Sequence, residues 1–279
     1  MSGAFSSNLF RRILTAMVFL PAVIATIMLF PRGGPWVLAA VLCLIGMSEA
    51  RALLACRSLQ ASPTSFLPGI ALFLEMAGSP DAGRTLPVSG LPIMAAVAAA
   101  LSAVVRAERF GVAAIAADGA GALCGLIIGL GAGSFSALAS LSPVEDGISR
   151  IAFLLAVVIS SDVFAYFVGR AIGRHKLAPR VSPGKTIEGA IGGLVGAALA
   201  SGVVATQLFK GQSVGLMVTL GVLVATASIV GDLLESLLKR YVGAKDSGTL
   251  FPGHGGALDR IDGFILAAPL MYAFFRAAS

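Results

Sequence analysis

Long apolar runs separated by short polar stretches divide this chain. They fall at 13–30, 36–55, 66–77, 88–105, 112–141, 149–169, 187–207, 214–238 and 263–277. Most approach or exceed the roughly 20 residues a helix needs to cross the hydrocarbon core of a bilayer. Backbone groups in that core must be paired within their own segment, so the predicted elements are helices. The third run is the shortest; Pro63, Pro68 and Pro80 punctuate it, and it could be a re-entrant or broken helix. The eighth run is expected to continue past the membrane surface as the helix carrying Lys239 and Arg240. The pattern predicts an all-α, polytopic integral membrane protein of about nine transmembrane helices.

Composition narrows this further. Apolar residues make up 57% and charged residues 12%, where soluble domains carry about 25% charge, so an ordinary soluble domain is excluded. With the N-terminus in the cytoplasm, 15 of the 20 Lys and Arg residues fall at inner ends and loops. The other 5 are Arg32, Arg84, Arg150, Lys210 and Arg276. That asymmetry is the positive-inside pattern and predicts an N-in, C-out topology. It puts 170–186 and 239–262 on the cytoplasmic side. The net charge of +6 then reports cytoplasmic loops facing anionic lipid rather than a nucleic-acid partner. Arg11 and Arg12 precede Ile13–Phe30 as in a signal peptide, but that run is longer than a typical signal core and no clear small-residue cleavage site follows. It is expected to be the first membrane helix. Cys43, Cys56 and Cys124 have no metal-ligand spacing and read as structural thiols.

Glycines recur at four-residue spacing in the fifth run (Gly121, Gly125, Gly129, Gly133) and again at Gly192 and Gly196. Such ridges let membrane helices approach closely; a homodimer interface could use the same surface. No linker divides the protein. Residues 1–110 are expected to supply structural helices and oligomer contacts, and 111–279 the catalytic region.

The stretch Gly231–Asp262 packs five carboxylates, four fixed positive charges and one histidine into an otherwise apolar chain. A charge among hydrocarbon is costly unless paired, hydrated or bound to an ion. Asp232, Ser236, Lys239 and Arg240 lie at i, i+4, i+7 and i+8, one face of a helix. An acid at one level and a basic pair two turns on suit a metal-bound polyphosphate. Glu235 is expected to pair with Lys239 at i+4, metal binding being the alternative. Tyr241–Leu258, rich in glycine, reads as a functional loop, after which Asp259 and Asp262 share a helical face. Asp232 and Asp259 could meet on one cation, and carboxylate ligands favour Mg²⁺, Ca²⁺ or Mn²⁺ over zinc.

A second polar island follows Asp162, an acid inside the sixth apolar run and therefore a functional candidate. Residues 173–189 carry Arg174, His175, Lys176, Arg180 and Lys185. Ser182-Pro183 starts a turn, and Lys185-Thr186-x-Glu188-Gly189 opens a helix whose N-terminal amides attract anions. A solvated basic loop is the plainer alternative. Pro-Gly-Lys-Thr at 183–186 is not a Walker A loop, which would need glycine where Pro179 stands.

Two patterns carry a family resemblance. Ser236-x-x-Lys239-Arg240-x4-Lys245-Asp246-x-Gly248, followed by Pro252-x-His254-Gly255-Gly256-x-x-Asp259-Arg260-x-Asp262, resembles the signature of the phosphatidate cytidylyltransferases (CDP-diacylglycerol synthases). Asp162–Gly189 is similar to that family's second marked stretch, although Gly184 stands where a lysine is common. The resemblance implies transfer of CMP from CTP to phosphatidate, giving CDP-diacylglycerol and pyrophosphate for phospholipid synthesis. It implies Mg²⁺, with room for a second cation such as K⁺, and a bacterial inner membrane with the site facing the cytoplasm.

On this reading Asp232, Asp259 and Asp262 are the expected metal ligands, Asp262 alternatively fixing Arg260. Lys239, Arg240 and Arg260 would clamp phosphates, and Ser236 would donate to a phosphate or ligate metal. Asp162, Ser182, Lys185, Thr186, Glu188, Lys245, Asp246, His254, Gly255 and Gly256 would line the substrates. Asp246 could instead ligate metal. His254 could touch a phosphate or only bond to backbone, and the glycines allow tight turns and close approach. Glu49, Glu75, Glu108 and Asp118, at or near segment ends, read as structural. The rival readings are a CTP-dependent lipid kinase of the dolichol type and, in another class, a cation-coupled transporter using Asp162, Asp232 and Glu235.

Overall fold

The computed structural model describes residues 25–30, 33–78, 90–141, 143, 146–250 and 255–278. Most of the first apolar run, with Arg11 and Arg12, lies outside the described residues, as does His254. In chain order the helices are α1 (Gly34–Cys56), a 3₁₀ turn (Pro63–Phe66), α2 (Leu67–Gly78), α3 (Gly90–Phe110), α4 (Ala113–Ser140) and α5 (Gly147–Ile172). A hairpin of β1 (Lys176–Ala178) and β2 (Ser182–Thr186) precedes α6 (Ile187–Leu208), α7 (Val214–Val242) and α8 (Leu258–Ala278). Among the described residues, seven helices are long and apolar enough to cross a membrane. The pattern of apolar runs predicted nine; the third of them is α2, only 12 residues long, which is too short to span alone. α7 does extend through Lys239 and Arg240.

Two compact units form, each discontinuous in sequence. The first holds Met1–Ala137 and Tyr241–Ile261, the second Leu138–Arg240 and Asp262–Ser279.

In the first unit the glycine ridge of α4 receives the 3₁₀ turn and α2. A Cβ on Gly121 would fall 2.3 Å from Ser65 Oγ, and one on Gly129 would fall 2.1 Å from the Gly69 carbonyl oxygen. No side chain fits there, so the ridge is a packing surface. Asp118 serves the same region. Its Oδ1 pairs with Arg106 and accepts the Ser62 N–H at 2.7 Å, while Arg106 also donates to the Gln60 carbonyl at 2.6 Å. Arg57, just past the end of α1, donates to the carbonyl of Tyr241 in the last turn of α7 at 2.6 Å and lies over its ring at 4.5 Å.

In the second unit α6 packs its small face on α5. A Cβ on Gly192 would fall 2.6 Å from Val168 Cβ, one on Gly193 2.9 Å from the Ser161 carbonyl oxygen, and one on Gly196 2.5 Å from the Phe164 ring. The opposite face exposes Ile191, Val195, Leu199 and Val203, four residues apart. Small residues inside and aliphatic residues outside is the arrangement expected where lipid replaces water. Phe153, Leu154, Val157, Met217, Val224 and Met271 are fully buried at this unit's centre.

The basic stretch after α5 is not a plain loop. Lys176 pairs with Thr186, and Ala178 with Ser182, in an antiparallel hairpin, a small exception to the all-helical expectation. The Val181 N–H returns to the Ala178 carbonyl at 3.2 Å to close the turn.

Candidate active site

The second unit assembles most of the acidic and basic candidates. Two glycines make this possible where α7 and α8 cross. A Cβ on Gly231 would fall 2.4 Å from the Asp262 carbonyl oxygen, and one on Gly263 would fall 2.7 Å from Ser228 Oγ. The backbones therefore approach closely, and the adjoining side chains of Asp232 and Asp262 are brought together. Glu235, one turn along α7 from Asp232, joins them. One carboxylate oxygen from each of Asp232, Glu235 and Asp262 lies within 4.8 Å of the other two.

Cations answer two of the three acids. Lys185, projecting from β2, lies 2.5 Å from Asp232 Oδ2. Lys239 pairs with Glu235 at i+4, as the helical spacing predicted. Ser236 Oγ donates to Asp232 Oδ1 at 3.3 Å, and Asp262 Oδ1 accepts the Gly263 N–H at 2.8 Å. Three carboxylates thus stand against two ammonium groups. The cluster's hard oxygen donors suit Mg²⁺ or Ca²⁺ over softer metals.

The hairpin is pinned at both ends. Arg240 Nε donates to the Val181 carbonyl at the turn, at 3.3 Å. At the base, Glu188 accepts the backbone N–H groups of Arg174 and His175 at 3.1 and 3.2 Å and lies 2.6 Å from His175 Nδ1. Thr186 is the N-cap of α6, its Oγ1 accepting the Gly189 N–H at 3.1 Å. Thr186 and Glu188, expected to line the substrates, are thus engaged in shaping the hairpin, and so is half-buried Ser182, through its strand pairing.

Between these parts lies a cavity of about 440 Å³. Asp162, Tyr166, Gly169 and Arg170 from α5 form one wall, Gly184, Lys185 and Thr186 from the hairpin another, and Gly189, Ile229 and Asp232 complete it. Asp162 and Lys185, members of one polar island in the sequence, face one cavity together with Asp232 from the other island.

The first unit organises the glycine-rich loop. Gly243 and Gly255 have φ of +77° and +82°, conformations in which a side chain is strained. Asp259 Oδ2 accepts the N–H groups of Ser247 and Gly256 at 2.9 and 2.8 Å and lies 2.9 Å from Ser247 Oγ. Gly256 is buried, Gly255 half-buried, and Lys245, Asp246 and Arg260 are exposed. Asp259 belongs to this unit and Asp232 to the other; the carboxylates that gather beside Asp232 within its own unit are Glu235 and Asp262. For Glu235 the sequence favoured pairing with Lys239 over metal binding; in the structure it pairs with Lys239 and also joins Asp232 and Asp262.

Comparison with known proteins bears on what these two arrangements serve. A family model described as "Cytidylyltransferase family" matches residues 10–278. The chain belongs to that family. Curated relatives of this cytidylyltransferase-family protein include phosphatidate cytidylyltransferase of Brucella abortus biovar 1 (strain 9-941), 51% identical over 150 residues, 52% of this chain and 55% of the relative. The Pseudomonas aeruginosa protein of the same name is 47% identical over 155 residues, 55% of this chain and 56% of the relative. That of Staphylococcus haemolyticus is 41% identical over 127 residues, 46% of this chain and 49% of the relative. The chain spans about half the length of the curated relatives it matches.

Proposed function

We propose that this protein transfers CMP from CTP to phosphatidate, giving CDP-diacylglycerol and pyrophosphate, at the cytoplasmic face of a bacterial inner membrane. The observation that carries the reading is the cavity walled by Asp162, Lys185 and Asp232, at whose edge a group of three carboxylates gathers, in a chain of the cytidylyltransferase family.

The chemistry is one displacement. A phosphate oxygen of phosphatidate forms a bond to the α-phosphorus of CTP, the bond from that phosphorus to the β-phosphate bridging oxygen breaks, and pyrophosphate leaves. The lipid supplies the nucleophile, so no serine is needed for attack. Both reactants are anions, and the barrier is largely electrostatic. Lys185 and Lys239 offer ammonium groups to phosphate oxygens, exchanging them for the carboxylates they now face. Arg240 holds the hairpin turn that carries Lys185 towards Asp232. Asp232, Glu235 and Asp262 would hold Mg²⁺, which would supply positive charge to the triphosphate and to the departing pyrophosphate. Arg260 and Lys245, both exposed, are candidates for phosphate contacts on the strength of the family resemblance. Asp259, held by Ser247 and Gly256, is a further candidate ligand of Mg²⁺, the role the family resemblance implies for it.

The test uses purified protein in lipid with labelled CTP, phosphatidate and Mg²⁺. Pyrophosphate and a CMP-bearing lipid are the expected products. Release of CDP with a newly phosphorylated lipid, or no turnover of CTP, would overturn the proposal.

A further inference from the structure

We infer that Glu49 is a positioning residue for the proposed reaction: from α1 it clamps both ends of the glycine-rich loop and so fixes the side chain of Asp259. The sequence gives Glu49 no partner. It is an acid late in an apolar run, and it is buried, with 9% of its surface exposed. In the folded first unit its Oε1 accepts the Ala257 N–H at 2.9 Å, and its Oε2 accepts the Leu258 N–H at 2.9 Å. Ser247 Oγ lies 3.0 Å from Oε2 as well.

Three features make this more than an incidental cap. First, α8 begins at Leu258 after Ala257, a residue with no side-chain oxygen to serve the open amides of a first turn. Those amides are answered instead by a carboxylate 208 and 209 positions away, whose charge also suits a helix N-terminus. Second, the loop glycines are shaped around Glu49. A Cβ on Gly248 would fall 2.6 Å from Oε1, and one on Gly256 would fall 2.4 Å from Oε2. Third, Ser247 stands between Glu49 and Asp259, with its Oγ 3.0 Å from one carboxylate and 2.9 Å from the other. The donors that orient Asp259, Ser247 and Gly256, are the residues that pack against Glu49. Moving Glu49 therefore moves Asp259 without any contact between the two acids being required.

The inference rests on the proposed transfer reaction for its kinetic consequence and on geometry alone for the clamp, so two readouts keep them apart. Glu49→Gln keeps the size but turns one acceptor into a donor aimed at an amide N–H. In the full-length protein in lipid, kcat is expected to fall by about tenfold or more while KM for CTP changes by less than about threefold. Ser247→Ala and Glu49→Gln together should cost less than the product of their separate effects, because both act through one contact chain. Hydrogen exchange at residues 247 and 256–259 should quicken in Glu49→Gln, with α3 unchanged. Should Glu49→Gln fail to fold, Gly256→Ala disturbs the same clamp from the loop side, and the same amides are read.

Full kcat in Glu49→Gln, or multiplicative effects in the double variant, would overturn the positioning role. If the wild-type protein makes no pyrophosphate, the reaction assignment falls. Unchanged exchange at residues 256–259 would then sink the clamp too, whereas quickened exchange would sustain it.

Discussion

At the scale of single residues, the site is governed by charge balance in a low-dielectric setting. Asp232, Glu235 and Asp262 would repel one another strongly if left alone. Lys185 and Lys239 answer two of them, and a divalent ion would reverse the sign of the cluster and attract polyphosphate. Neutralising one acid should remove that capacity while leaving the fold. Asp262→Asn is expected to lower turnover of CTP and phosphatidate by about a hundredfold or more, with Mg²⁺ titration of the residual rate shifted to higher concentration. Wild-type rates in that variant would separate Asp262 from the metal assignment. Asp262 already shows how little of a side chain's role lies in its own identity, since its closeness to Asp232 depends on a missing Cβ at Gly231.

Among the elements, absent side chains do much of the positioning. α4 carries glycines that let the 3₁₀ turn and α2 lie against its backbone, and α6 does the same for α5. Gly129→Ala would push a Cβ to 2.1 Å from the Gly69 carbonyl oxygen. Overpacking of this kind costs about 1–3 kcal/mol, and the detergent-solubilised protein should melt earlier by several degrees. Gly119→Ala on the same helix meets nothing within 4 Å and is expected to melt no earlier than wild type, since alanine favours helix. Equal melting of the two variants would refute the ridge. The hairpin depends on the Thr186 cap of α6. Thr186→Ala should cost about 1 kcal/mol, visible as a lower melting temperature.

For the whole molecule, access to nucleotide depends on which end of each span faces the cytoplasm. The bias of Lys and Arg predicts that the hairpin lies inside and the turn between α6 and α7 outside. In a cysteine-free background, Lys176→Cys in intact cells should resist an impermeant thiol reagent until the membrane is permeabilised, while Lys210→Cys should react at once. The opposite pattern would invert the topology and place the candidate site away from cytoplasmic nucleotide.

Read by itself, the sequence determined the class and the chemistry on offer. Apolar run length dictated membrane helices, because hydrocarbon leaves backbone groups no partner outside the segment. The 3.6-residue period placed Asp232, Ser236 and Lys239 on one face of α7, and the i+4 rule found the Glu235–Lys239 pair. Such relations are local, fixed by helix geometry within a few residues. Tertiary structure alone decided what stands beside them. Lys185 meets Asp232 across 47 positions, Asp262 meets Asp232 at a glycine crossing, and Glu49 meets Ser247 across 198 positions. The hairpin was hidden because its short strands carry proline, glycine and lysine in place of an alternating apolar pattern. Periodicity cannot reach such separations; close packing of helices, set by where a Cβ is missing, makes those contacts.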